Sequence, residues 1–290
     1  MDEQRARITK DGIRIYDDAD FAGMRQAGRI AAEILDAVAP LVQPGTTTGA
    51  IDDFITEDIK RRGVTSATIG YKGYKHASCI SVNHVVCHGI PGAAIPMSKS
   101  ETISKDLEKR RKDDALKDGD VVNIDVTVIV DGWFGDTSRM YVAGVLSPMA
   151  KRLIDATHES LMRGIAAVKP GNTFGDIGSA IQTFAEGRGL SVVRDFCGHG
   201  LGRVFHAPPN VLHYSSREAA KLVLEEGMFF TIEPMVNLGR AETHVLADDW
   251  TAVTRDKSLS AQFEHSVGVT ATGCEIFTLS PAGKFHPTWG

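Results

Sequence analysis

Residues 121–130 alternate in character. Val122, Ile124, Val126, Val128 and Val130 are apolar, with Asn123, Asp125 and Thr127 between them. A period of two predicts a strand with one face in a core and one polar face. Asp131-Gly132 follows, a strong signal for a two-residue hairpin turn. The return strand is 133–142. Such a turn sets Val130 opposite Trp133, Thr127 opposite Asp136 and Asp125 opposite Ser138. Asp125 and Asp136 become diagonal neighbours on the polar face, their Cα atoms about 7–8 Å apart. Upstream the period changes. Met24, Ala27, Ala31, Ile34, Leu35 and Val38 keep helical spacing behind the acidic start Asp17–Asp20. This predicts a helix that Pro44-Gly45 stops.

The helical pattern occurs twice. Residues 33–63 align with 159–189, including Pro44/Pro170, Gly45/Gly171, Thr47/Thr173, Gly49/Gly175 and Gly63/Gly189. Each copy reads helix, V-x-P-G-x-T-x-G connector, helix. Gly119–Asp125 resembles Gly227–Glu233 at a shorter spacing, so the first copy carries an insertion. The charged run from Lys99 to Lys117 locates it, and a polar, solvated segment is expected at about 93–117. These features predict a single α+β domain over 1–290. Its parts are an N-terminal extension (about 1–17) and two pseudo-two-fold-related halves, about 18–150 and 151–290, with a shared site between them.

The duplication makes mates of Asp125 and Glu233, and of Asp136 and Glu264. Glu233 is expected on an apolar strand, 228–236, and Glu264 on another, 261–269. Four converging acids repel strongly, and burying them unpaired is prohibitive. Divalent ions resolve the conflict; a basic side chain is the alternative, but only Arg139 stands close in sequence.

Three of the ten histidines stand in Gly/Pro-rich turns. His88 lies in Cys-His-Gly-Ile-Pro, His199 in Gly-His-Gly, and His206 in Phe-His-Ala-Pro-Pro. His199 adds a nitrogen ligand to the oxygen-rich set, while His88 and His206 can donate to a carbonyl or carry a proton. His76, His84, His158, His213, His244, His265 and His286 read as ordinary loop or core residues. One imidazole with four carboxylates is not a structural zinc site. The set suits Mn, Fe or Co, and Zn could bind.

At 290 residues, 42% hydrophobic and 24% charged, the chain reads as globular; its net charge of −5 argues against general nucleic-acid binding. No apolar run approaches the roughly 20 residues of a membrane span. The first twenty residues are charged throughout, without a secretory h-region. The four cysteines form no C-x-x-C pair and no disulfide scaffold, so a reduced, cytoplasmic setting is expected.

Six ordered motifs carry a family likeness: Cys-His-Gly-Ile-Pro at 87–91, Asn-Ile-Asp-Val-Thr at 123–127, Gly-Asp-Thr-Ser at 135–138, Gly-His-Gly-Leu-Gly at 198–202, Thr-Ile-Glu-Pro-Met at 231–235 and Gln-Phe-Glu-His at 262–265. Over roughly 14–280 the chain resembles the type I methionine aminopeptidases, of the pita-bread metallopeptidases. The resemblance implies two α/β halves around a curved antiparallel sheet with a dinuclear centre. Asp125, Asp136, His199, Glu233 and Glu264 then hold two divalent ions (Co, Mn, Fe or Zn), with Asp136 and Glu264 bridging. A water between the ions is the nucleophile, Glu233 the proton shuttle, and His88 and His206 contact the substrate. Tyr71, Tyr74, Cys79, Phe205 and Trp250 are the implied walls of a methionine pocket.

Lys72, where many members carry histidine, and Lys75-His76, where proline is common, depart from the family at the rim of that pocket. The implied substrates are peptides and nascent chains beginning with Met. The implied setting is a cytoplasmic monomer with transient ribosome contact, without sequence-specific nucleic acid or membrane. The competing readings are a proline-specific relative, usually with a large extra N-terminal domain, a broader aminopeptidase, and a non-catalytic binding module, which would have lost ligands.

Overall fold

In a computed structural model, which describes residues 7–92 and 114–286, the strands Asp120–Val130 and Trp133–Ala143 form the central hairpin. Its register is the one the turn implies: Val130 faces Trp133, Thr127 faces Asp136 and Asp125 faces Ser138. Asp131 and Gly132 both have positive φ, 50° and 81°, as a turn matched to strand twist requires.

The apolar face of the hairpin lies on helix α1 (Asp18–Val38). Met24, Ala27, Ala31, Ile34, Leu35 and Val38 are fully buried there. Contact is close enough that a Cβ at Gly135 would stand 2.3 Å from the Ala27 carbonyl oxygen. Asp17 caps α1 and exchanges hydrogen bonds with Asp20 in a capping box. The helix ends earlier than expected, at Val38 rather than at Pro44-Gly45. Pro40 has no N–H to continue the ladder, and its ring would meet the carbonyl four residues back. A short 3-10 turn, Ala39–Leu41, takes over, and Pro44-Gly45 belongs to the turn leading into helix α2 (Thr48–Arg61).

The second half repeats this plan with helices α3 (Pro148–Ala166) and α4 (Phe174–Glu186). Thr47 and Thr173 cap α2 and α4 in the same way. Both also make an isolated bridge, to Ala115 and Val223 respectively. The duplicated glycines share backbone conformation: φ is 91° and 89° at Gly45 and Gly171, 70° and 71° at Gly63 and Gly189, and 88° at both Gly119 and Gly227. The two larger apolar clusters among the described residues follow this division. One joins α1 and α2 to the hairpin, and the other joins α3 and α4 to the strands of the second half. Every longer strand pairing among the described residues is antiparallel.

The second-half hairpin corrects one expectation. The strand expected at 228–236 is two strands, Phe229–Ile232 and Met235–Asn237. Its partner likewise divides into Ser260–Gln262 and His265–Val269. Pro234 cannot donate to a ladder, and Glu233 and Glu264 sit in the facing gaps. From Arg7 to Asp17 the chain folds on itself, Arg7–Ile8 pairing with Arg14–Ile15, and it is tied to the second half by Tyr16, which stacks on Phe229 at 4.4 Å. Residues 93–113 of the expected insertion lie outside the described residues. No described helix is long and apolar enough to cross a membrane.

Candidate metal centre

A cavity of about 620 Å³ opens over the polar face of the central hairpin. Every residue singled out from the sequence as a ligand, proton carrier or pocket wall lines it. Strand alternation delivers Asp125 and Asp136 from the first half. The two strand breaks deliver Glu233 and Glu264 from the second, and the short strand Gly198–Gly200 delivers His199. The glycines beside His199 are steric requirements. A Cβ at Gly198 would stand 2.4 Å from Thr231 O, and one at Gly200 would stand 2.2 Å from Pro208 O.

Donor atoms of Asp136, His199 and Glu264 lie within 4.8 Å of one another. His199 Nε2 is 3.4 Å from Asp136 Oδ2 and 3.7 Å from Glu233 Oε1. Its Nδ1–H donates to Gly200 O at 3.1 Å, so Nε2 is the nitrogen turned to the acids. Histidines that ligate metals are commonly oriented in this way. Asp125 and Glu233 border the same cavity outside the tight trio.

Electrostatics favour bound cations. Burial, then the charges of Asp136 and Glu233, push Asp125 well above the usual carboxylate range. Burial, then Asp136, Glu233 and Asp125, do the same to Glu264. Burial and Asp136 push Glu233 up to about 7, against the opposing effect of His199. For His199, burial alone would lower the pKa, but Asp136 and Glu233 outweigh it and raise it. Arg139, the basic residue nearest in sequence, does not neutralise the cluster. It lies opposite Ile124 and donates to Asp36 Oδ1 at 2.7 Å. Among the described residues no arginine or lysine pairs with these acids, and hard oxygen donors with one imidazole fit divalent ions such as Mn²⁺, Fe²⁺ or Co²⁺, and tolerate Zn²⁺.

The two flanking histidines differ. His88 has φ of 56°, a conformation uncommon for a residue with a side chain. A Cβ on the next residue, Gly89, would stand 2.2 Å from Ile80 O. Burial lowers the His88 pKa. Burial, then His199, hold His206 down to about 4. His206 stacks on Tyr71 at 5.2 Å. On the pocket side, Tyr74 lies 4.8 Å from Trp250, and Cys79 stands beside Asp125 on the neighbouring strand. Of the departures at the rim, Lys72 lines the cavity, whereas Lys75 and His76 do not. His76 instead meets Asp52 Oδ2 at 3.0 Å, a tie to α2.

Four further residues hold the acids, and sequence reading gave none of them this part. Thr127 Oγ1 donates to Asp136 Oδ1 at 2.7 Å. Thr231 Oγ1 donates to Glu233 Oε1 at 2.7 Å. Gln262 Nε2 donates to Glu233 Oε2 at 3.3 Å. His213, read as an ordinary loop or core residue, accepts the Glu233 N–H on Nε2 at 3.1 Å. A signal existed for the threonines: the hairpin register sets Thr127 opposite Asp136, and Thr231 stands two residues before Glu233.

Metallopeptidase family M24 matches residues 22–271. The methionine aminopeptidase of Rickettsia prowazekii (strain Madrid E) is 49% identical over 278 residues, 96% of this chain and 99% of that protein. The methionine aminopeptidase of Escherichia coli (strain K12) is 50% identical over 270 residues, 92% and 94% of the two chains. The crystal structure of the Rickettsia prowazekii enzyme matches with a TM-score of 0.83, over 92% of this chain and all (100%) of that one. A prolidase from Pyrococcus horikoshii OT3, 18% identical with a TM-score of 0.64, shares the pita-bread fold; this chain covers 63% of it. The chain belongs to metallopeptidase family M24, among its methionine aminopeptidases.

Proposed function

We propose that this chain removes N-terminal methionine from peptides and nascent proteins at a dinuclear centre held by Asp125, Asp136, His199, Glu233 and Glu264. As a methionine aminopeptidase it is a hydrolase of peptide substrates, and its family uses divalent metal. The reading rests chiefly on one observation: acids from both halves and His199 Nε2 face one cavity, while Arg139 is turned away. We take 1–290 as one catalytic domain whose halves each supply part of the site.

Two bound divalent ions would supply the positive charge that brings a water's pKa towards neutrality and polarises the first peptide carbonyl. The side chains do the rest. Glu233, which reaches the cavity beside His199 from the strand break, is suited to take the proton of the attacking water and pass it to the leaving amine. His206, neutral at physiological pH, donates to the carbonyl oxygen as charge develops there. His88 orients the scissile amide. Tyr71, Tyr74, Cys79, Phe205 and Trp250 receive the methionine side chain, whose sulfur makes favourable contacts with aromatic rings.

The test is methionine release from a Met-Gly peptide by metal-stripped protein given Mn²⁺, Co²⁺, Fe²⁺ or Zn²⁺, with Glu233→Gln and an X-Pro peptide alongside. Metal-dependent release, lost in Glu233→Gln and absent for X-Pro, is expected. Cleavage of X-Pro alone would reassign the chain to proline-specific chemistry.

A further inference from the structure

Glu233 and Asp125 are mates in the duplication, yet they are held differently. Asp125 stands in a continuous ladder, with Cys79 on one side and Ser138 on the other. Glu233 stands in a strand break, between Ile232 paired with His265 and Met235 paired with Gln262. Its amide N–H has no strand partner, and a buried amide needs one. His213 Nε2 supplies the acceptor at 3.1 Å.

The ring of His213 is fully buried, and its Nδ1 has no hydrogen-bond partner. An acceptor at Nε2 puts the ring proton on Nδ1. Among the described residues, the single polar contact of this imidazole is therefore the backbone of Glu233. The segment carrying His213 is rigidly backed. A Cβ at Gly178 on α4 would stand 2.4 Å from Tyr214 O and 2.7 Å from Leu212 O. Ser215 N donates to Gln182 Oε1 at 2.8 Å, a second tie to α4.

We infer that His213 is a positioning residue: by accepting the Glu233 amide hydrogen at the strand break, it fixes the backbone from which that carboxylate reaches the site. The inference rests on the reading of Glu233 as metal ligand and proton carrier. Its chemistry is that of an outer partner which orients a ligand it does not share with the metal.

The experiment compares full-length wild type, His213→Phe, His213→Gln and Glu233→Gln. Each is stripped and reloaded with Mn²⁺, then assayed by calorimetry for Mn²⁺ affinity and on a Met-Gly peptide for kcat and KM. Folded His213→Phe is expected to lose about ten-fold or more in Mn²⁺ affinity and kcat, while KM moves less. His213→Gln, whose side-chain oxygen can accept the same N–H, is expected to recover most of the loss. Unchanged affinity and kcat in His213→Phe, or no recovery in a folded His213→Gln, would overturn the inference. Should His213→Phe not fold, imidazole ¹⁵N spectra of the wild type decide: an Nδ1–H tautomer supports the bond and an Nε2–H tautomer excludes it. Glu233→Gln separates the two readings. If it keeps affinity and turnover, the role of Glu233 falls. If it is inactive beside an unaffected His213→Phe, only the role of His213 falls.

Discussion

Thr127 and Asp136 face each other across the central hairpin, and the threonine hydroxyl donates to Asp136 Oδ1 at 2.7 Å. That bond occupies one carboxylate oxygen and leaves Oδ2 turned to His199. Thr127→Val keeps the shape and removes the donor. Mn²⁺ affinity is expected to fall about ten-fold, with a stability loss of about 1–3 kcal/mol in the metal-free protein. Titration calorimetry and thermal melts measure both, and an unchanged affinity would deny the hydroxyl an orienting part.

Arg139 tests the claim that the basic residue nearest the acids in sequence does not neutralise them. Its guanidinium and Asp36 form a largely buried pair that Ser280 also joins. Arg139→Met leaves Asp36 without its cation, and a loss of about 3 kcal/mol is expected. Turnover per folded molecule should change little, because the side chain lies on the far face of the hairpin. A large fall in kcat at temperatures where the variant is fully folded would contradict that separation.

Stability of the metal-free protein should depend on pH with a defined sign. Glu233, Asp125 and Glu264 are raised in the folded state. The native protein therefore keeps protons that the unfolded chain releases at about pH 4–5. Their stabilising effect is complete below that range and fades as pH rises, through about 7 for Glu233. Buried histidines oppose this on the acid side. His213 and His265 are held down to about 3 by burial, so they lose stability as pH falls below the ordinary histidine range. Above about pH 6.5 the carboxyl trend is joined by His199, whose raised pKa acts in the same direction. Melting temperature should decline from about pH 6.5 to 8 in stripped wild type, and less steeply in stripped Glu233→Gln. A level wild-type profile would mean that these acids are not held protonated.

Trp250 lies against Tyr74 at the pocket. Trp250→Ala should widen the pocket, raise KM for a Met-Gly peptide and weaken discrimination between methionine and leucine. Size discrimination in apolar pockets is worth about 10- to 200-fold per methylene, so a loss of about ten-fold in the kcat/KM ratio is expected. An unaltered ratio would move the specificity wall to Tyr71 and Phe205.

The sequence was most informative where local rules leave little freedom. Asp131-Gly132 allows few turns, so the facing of Asp125 and Asp136 follows from counting residues. The duplicated glycines were legible because only glycine readily takes those φ values. The break at Glu233-Pro234 was not legible, because the apolar run 228–236 continues through it and only Pro234 hints at the interruption. The end of α1 was misplaced because Pro40 acts before Pro44-Gly45. His213 was hidden for another reason: its partner is a backbone amide, and backbone hydrogen bonds leave no mark on residue identity.

The strand breaks of the second half also bear on how the chain becomes active. The hairpin holding Asp125 and Asp136 closes over two residues and needs only local contacts, which form quickly. Glu264 joins it from far along the chain, where its amide donates to Ser138 O at 3.0 Å and its carbonyl accepts from Thr137 Oγ1 at 2.7 Å. Such distant contacts close late, because the loop entropy must be met first. A folding intermediate with its first half formed would carry two carboxylates and little grip on a divalent ion. Tight metal capture would then mark the arrival of the second half, and occupancy of the centre would report on completed folding.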